Sequence, residues 1–436
     1  MLSHHRLRTI TRGKVVLAGD DEYDAARMAW NPDVDQLAVA VVHAMDVADI
    51  VAVVGYARSA GLSVAAQPTG LGACGNVAGA IVVRTDNLDR VEIDPARRRV
   101  RIGAGVRWGP MLTVAGSYGL TGLAGSWPSL SAVGHPLGGG LSWFGRKYGW
   151  AADHVRSFDV VDAHGRRVRV SEESDPELFW GMRGGGGDFA FVTAVEFDLL
   201  PAPPCYGGRM IWPTAYTAAV REAFLDITEH APLELTVRLD RLRLPQGPSV
   251  IAIATAYLGV PERGRELLRR FDRIGELIAD TRRERSPAEL GQIDDEPIMP
   301  SSSPSRTELL TVLDQAATET LLTVPIDPLT GIQLQQLGGA LAAPTRGANP
   351  PVSEAFALSL QARTADPDEA AAVLAAQRHL LAELGPRISG RKPYAFLTTG
   401  DSSAQAFPAA TLARLRKLKR ARDPHAVFRA NFAIPA

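Results

Sequence analysis

Three glycine clusters constrain this chain more than any other feature: Gly70 with Gly72; Gly134 with Gly138, Gly139 and Gly140; and Gly184 to Gly187. Each stands beside a segment that reads as a β-strand. Glycine admits left-handed backbone and lets another group come close, so a loop built on it can aim several N–H donors at one point. A phosphate needs that convergence. Three clusters in one chain point to a long phosphate-bearing ligand held by main chain, with a dinucleotide as the natural candidate. No cluster ends in the Gly-Lys-Ser/Thr of a Walker A loop, and none has Rossmann spacing followed by a ribose-binding acid. Gly184 to Gly187 also reads simply as a tight turn.

The segments between the clusters alternate. A Val-rich run at 37–42 predicts a strand. Asp46 is placed to cap a helix whose Ile50, Val51, Val54 and Ala57 recur at helical spacing, and Gly61 would end it. Strands are predicted at 62–66, 81–83, 91–94, 100–102, 157–162, 167–170 and 191–199. After the Pro-rich stretch 201–204 the character changes. Strands at 233–239, 250–257 and 355–360 alternate with helices at 214–229, 262–280 and 368–384, which reads as a separate α+β domain. Residues 301–305 read as a loop or lid. A last helix is predicted at 409–422, with the tail returning to the first domain.

Composition excludes several classes. The 436 residues suggest two or three domains at roughly 150 residues each. A net charge of −1 leaves no electrostatic footprint for nucleic acid or an acidic membrane. The most apolar stretch, 37–57, contains His43, Asp46 and Asp49, so no membrane span is expected. Cys74 and Cys205 make neither a disulfide framework nor a cysteine-based metal site, and no metal is expected. With no apolar leader in the first residues, the expected location is the cytoplasm.

Six segments carry a resemblance: residues 67–73, 133–140 with 146–149, 159–166, 175–189, 337–341 and 423–431. In order and spacing, the chain resembles the berberine-bridge-enzyme-like FAD-linked oxidoreductases of the vanillyl-alcohol-oxidase (PCMH-type) superfamily. The resemblance implies an α+β, two-domain PCMH-type FAD-binding fold: an FAD-binding domain at 30–202, an interposed α+β substrate-binding domain at 203–390, and a C-terminal segment at 391–436 returning to the first. It implies oxidation of a small molecule by hydride transfer to the flavin, with reoxidation by O₂. It implies cofactor-binding roles for Thr69, Gly70, Leu71, Gly72, Ala73, Trp127, Ser129, Gly134, His135, Leu137, Gly138, Gly139, Asp153, Val192 and Asn431. Oligomeric state is left open.

The departures from the family pattern matter as much. Members usually tether FAD through a His in the first loop and often through a Cys in the second. The matching positions here are Leu71 and Trp127, and neither can form the bond. Noncovalent FAD is therefore expected, with a lower potential suited to milder dehydrogenations. Asp188 stands for the usual Asn and is expected to repel a pyrophosphate. Ala190 and Ser131 replace glycines and are expected to crowd close backbone approach. Phe432 replaces a frequent His. Cys74 and His135 are candidates to face the flavin, each with a structural alternative, and Cys205 reads as inert. Tyr394 is the candidate catalytic residue, as donor or as base with a depressed pKa, or else a core aromatic. Gln333 and Gln335 fall where relatives place charged residues, and Gln is no base. Those losses leave room for a rival reading: a non-redox cyclase or isomerase with structural or absent FAD. A degenerate binding protein is a third.

Overall fold

A computed structural model describes residues 4–244, 247–293, 304–364 and 366–435. Residues 301–303 of the loop or lid reading lie outside the described residues.

Capping and burial build the first helix as its sequence requires. Val47–Ala60 begins where the Asp46 carboxylate accepts from the amides of Ala48 and Asp49, and ends at Gly61 with φ 67°. Ile50, Val53, Val54 and Ala57 form its buried face. They pack on a four-stranded sheet in the order Lys14–Leu17, Ala40–His43, Ile81–Arg84, Val64–Ala66. The last three strands are parallel and the first is antiparallel to its neighbour. A five-stranded antiparallel sheet follows: Val91–Asp94, Arg99–Gly103, Phe191–Asp198, Val155–Val161, Arg167–Ser171.

Residues 205–361 hold an eight-stranded antiparallel sheet in the order Ala279–Asp280, Cys205–Pro213, Ser249–Leu258, Leu235–Arg243, Gly331–Gln336, Phe356–Gln361, Arg306–Leu310, with Arg283–Arg285 also on Cys205–Pro213. Period-2 alternation sorts its side chains. Leu235, Val237, Leu239, Ile332 and Leu334 point to one face, under the helices Thr217–His230 and Pro367–Leu384. The other face meets the segment 141–150. There Arg146 donates to the carbonyl of Ala231 (3.2 Å) and to that of Leu337, and Trp150 Nε1 donates to Leu341 O at 3.3 Å. Gly339 has φ 60°, and a Cβ there would lie 2.3 Å from Arg146 O. The Gly338–Gly339 pair is thus a docking point between the two halves.

Two expectations fail locally. The helix predicted over 262–280 stops at Leu268, because Ala279 leaves to pair with Ile211 as an edge strand and Gly275 sits against Tyr216. Cys205–Pro213, a nine-residue strand, was absent from the sequence reading because it carries Gly207–Gly208 and follows prolines. Helix Ala409–Arg422 forms as predicted, and the tail beyond it returns to the first sheet. Val64 N donates to Val427 O at 2.6 Å and Arg429 N to Val64 O at 3.0 Å, which covers the edge of Val64–Ala66.

Candidate cofactor cradle and substrate face

The first loop leaves its sheet at Gln67, whose amide donates to Val83 O at 2.9 Å. Gly70 follows with φ 68° and is buried. A side chain there would press on Arg84 Nη1 at 3.3 Å and Trp30 N at 3.4 Å. Ala73 N closes the turn on Gly70 O at 3.2 Å. Among the described residues, the amides of Thr69, Gly70, Leu71 and Gly72 donate to no protein acceptor. Gly70 is buried and Thr69 and Leu71 are half-buried, so their unspent donors mark a place for an external acceptor, whereas Gly72 is exposed and open to water.

The C-terminal tail forms the opposite wall. Asn431 Nδ2 donates to Gly72 O at 2.6 Å, and Asn76 Nδ2 to Ala430 O at 3.0 Å. A cleft of about 320 Å³ lies alongside, lined by Cys74, Asn76, Asp401, Ser403, Asn431 and Phe432. The Cys74 thiol donates to Asn431 O at 2.8 Å, and burial raises its pKa. That is the inert, structural state of a thiol.

The second loop approaches the first through aromatic rings. Trp127, half-buried, lies 5.6 Å from Trp30 at an interplanar angle of 58°, and Trp30 N donates to Gly70 O at 3.3 Å. Ser129 is half-buried beside it. Ser131 does not crowd the loop: its hydroxyl accepts from Gly134 N at 3.0 Å and starts the short helix Gly134–Leu137. His135 Nε2 donates to Leu141 O at 3.1 Å, while the ring meets Trp108 edge-on. Burial pulls its pKa down to about 4, so the imidazole is neutral. Its Nδ1 has no partner among the described residues.

The third cluster is a packing turn. A Cβ would strike Asn349 at 2.4 Å from Gly184, Gly181 O at 2.1 Å from Gly185, and the Tyr394 ring at 2.7 Å from Gly186. Gly186 N donates to Leu137 O at 2.8 Å, joining this turn to the second loop, and Gly138 lies against Ala395. Gly139 takes φ 102° beside Trp150. Asp153 and Val192 have side chains engaged elsewhere. Asp153 accepts from Arg346 N at 2.8 Å, and Val192 is buried within the strand Phe191–Asp198 of the five-stranded sheet.

Asp188 corrects an expectation. Its oxygens accept from Ala430 N (3.1 Å) and Ile434 N (2.9 Å), and Lys419 Nζ stands 3.4 Å away. Lys419 also donates to Asp188 O (2.6 Å), Asp423 Oδ2 (2.8 Å) and Phe428 O (2.9 Å). The carboxylate therefore clamps the tail and is spent on its own chain, although burial raises its pKa against the pull of Lys419. Ala190 is likewise in the core and crowds no loop. Tyr394 donates its hydroxyl to Phe432 O at 2.9 Å and packs against the Phe407 and Phe432 rings. Burial raises its pKa, the opposite of what a base there requires. This is the geometry of a core aromatic with a satisfied hydroxyl.

On the eight-stranded sheet, the face towards segment 141–150 carries a polar island. Register places Asp240 opposite Gln333 and Arg238 opposite Gln335. Asp240 is fully buried, accepts from Arg209 at 2.8 Å, and has Arg238 Nε at 3.5 Å. Against the cost of burial, Arg238, Arg209 and a hydrogen bond from Gln333 hold its carboxyl below the usual range. Arg238 lies over the Trp143 ring at 4.9 Å. Gln333, Gln335 and Ser359 are half-buried on the same face. Sequence reasoning found the two Gln but missed Asp240, Arg84 and Trp30. The period-2 polar face of Thr236, Arg238 and Asp240 was the available signal for the first.

Residues 38–171 match the family described as FAD binding domain. The matched stretch contains the first two glycine loops. It is 33% identical over 204 residues to the FAD-dependent monooxygenase tpcD of Cochliobolus heterostrophus, covering 46% of this chain and 39% of that protein. It is 26% identical over 279 residues to (R)-6-hydroxynicotine oxidase of Paenarthrobacter nicotinovorans, covering 62% and 60%. The chain thus spans only about half the length of the curated relatives it matches. Structural likeness covers nearly all of it. The crystal structure of 6-hydroxy-D-nicotine oxidase from Arthrobacter nicotinovorans superposes with TM-score 0.87 at 22% identity over 98% of both chains. Physcomitrella patens BBE-like 1 superposes with TM-score 0.86 at 19% identity over 99% of this chain and 98% of that one. The α+β PCMH-type, berberine-bridge-enzyme-like fold is therefore the fold of this chain. The unspent amides of Thr69, Gly70 and Leu71 and the aromatic pair beside them suit FAD, which presents a pyrophosphate and a flat ring system. No helix among the described residues is long and apolar enough to cross a membrane.

Proposed function

We propose that this chain is an FAD-dependent oxidoreductase that holds its FAD without a covalent bond and acts on a small organic molecule. The observation that carries the reading is the donor set at Thr69 to Leu71, inside a region that matches an FAD binding domain. Backbone amides can hold such a ligand without a tether: micromolar affinity corresponds to about −8 kcal/mol. Leu71 and Trp127 offer no nucleophilic atom, the Cys74 thiol is spent on Asn431 O, and the half-buried His135 has its Nε2 spent on Leu141 O. The tail residue Asn431 holds the first loop by its Gly72 carbonyl, and Trp30 with Trp127 supplies an apolar wall.

FAD, when bound, accepts a hydride equivalent from the substrate. The chain's own residues bind and orient. Gln335, on the face towards segment 141–150, offers neutral hydrogen bonds to the substrate, and Gln333 beside it is hydrogen-bonded to Asp240. Glutamines take up no proton, and two arginines and Gln333 hold the neighbouring Asp240 carboxyl below its usual range against the cost of burial. Such a site favours a substrate that gives up its proton readily. The names of the relatives, which include a 6-hydroxynicotine oxidase and a xylooligosaccharide oxidase, support the small-molecule class. The test is an anaerobic titration of the purified protein against a panel of small alcohols, amines and sugars. Bleaching of the visible flavin band by one of them, reversed by air, supports the proposal. A yellow protein whose flavin no compound reduces while it converts one of them contradicts it.

A further inference from the structure

Arg84 ends the strand Ile81–Arg84, directly behind the first loop, and its side chain is 9% exposed. Its guanidinium is held by main-chain carbonyls: Nη2 donates to Met28 O (2.7 Å) and Ala26 O (3.1 Å), and Nη1 to Gln67 O (3.4 Å). Among the described residues it makes no ion pair. The carboxylate that acts on it from further off, Asp86, lies 3.4 Å from Arg107. A buried cation without an anion is a costly arrangement. The same loop holds a second imbalance, the amides of Thr69, Gly70 and Leu71 without a protein acceptor, and Arg84 Nη1 lies 3.3 Å from where a Cβ of Gly70 would stand. Both imbalances call for negative charge at one place. The three carbonyls fix the guanidinium on the protein side, so its charge acts through the loop rather than by contact.

We propose that Arg84 is the positioning countercharge of this site: it holds segment 26–28 and the first loop in place and sets a positive field in which the loop amides take the dinucleotide pyrophosphate. The inference rests on the FAD reading above. A field of this kind is screened by salt, whereas a purely structural prop is not.

The experiment uses the full-length chain, stripped of flavin and titrated with FAD at low and high salt, as wild type, Arg84→Lys and Arg84→Gln. Wild type is expected to lose affinity as salt rises. Arg84→Gln is expected to bind about tenfold more weakly and to lose most of that salt dependence. Arg84→Lys is expected to keep the salt dependence. Inorganic pyrophosphate provides a second readout, raising the melting temperature of flavin-free wild type and of Arg84→Lys. Should Arg84→Gln fail to fold, this rise and the salt slopes of the two cationic proteins decide. Arg84→Gln with wild-type affinity and salt slope, or wild type with no salt slope and no response to pyrophosphate, overturns the countercharge role. A wild type that binds no FAD at all overturns the functional reading instead.

Discussion

His135 keeps a neutral ring where an ordinary histidine would charge, and this leaves a pH signature. Its folded pKa is about 4, against about 6.5 in an unfolded chain. Between those values the unfolded chain binds a proton that the folded chain refuses, so stability rises with pH there. The contribution is complete above the unfolded pKa, is lost as pH falls towards the folded one, and amounts to about 3 kcal/mol. Urea unfolding at about pH 7.5 and about pH 4.5, in wild type and His135→Asn, reads it. Wild type is expected to lose more stability than the variant between the two conditions, and equal losses would refute the buried neutral state. Other side chains show why single residues read poorly from sequence. Asp188 looked like a charge misplaced beside a phosphate, because its neighbours in sequence are glycines. Its partners, Lys419, Ala430 and Ile434, are more than two hundred residues away. Tyr394 was open between two roles until the fold set its hydroxyl to donate to Phe432 O.

At the scale of elements, what is locally determined was legible. Asp46 and Gly61 bound their helix in sequence as they do in space, and Ala409–Arg422 runs as its pattern dictates. What depends on distant pairing was not legible. The tail joins the edge of Val64–Ala66, and Ala279–Asp280 leaves a helical pattern for a sheet edge. The aromatic contact between Trp30 and Trp127 belongs here too, since it joins the N-terminal segment to the second loop across the first. Aromatic contacts contribute about 0.5–1.5 kcal/mol beyond area burial. Trp30→Ala and Trp127→Ala are therefore each expected to weaken FAD binding severalfold, measured by quenching of flavin fluorescence, with the apoprotein's far-UV spectrum unchanged. Tighter binding on removal of the Trp127 ring would show that the ring obstructs the cofactor instead of supporting it.

The whole molecule joins two architectures along one seam. On one side are the glycine loops, with the C-terminal tail laid over them; on the other is the eight-stranded sheet with its polar island. Buried ion pairs hold the tail and the seam, among them Lys392 with Glu308 (3.1 Å) and Asp401 (2.8 Å). The first two loops announced themselves through glycine, although the densest cluster, Gly184 to Gly187, serves packing. The island did not, because a charged strand such as Leu235–Arg243 reads as a solvated face until its neighbours cover it. We propose above all that no covalent bond retains the flavin. Acid precipitation of the purified protein, with flavin absorbance read in both fractions and the intact mass of the polypeptide measured, tests it most directly. The account predicts FAD in the supernatant and a chain of unmodified mass; flavin that sediments with the chain, or a mass raised by one FAD, contradicts it.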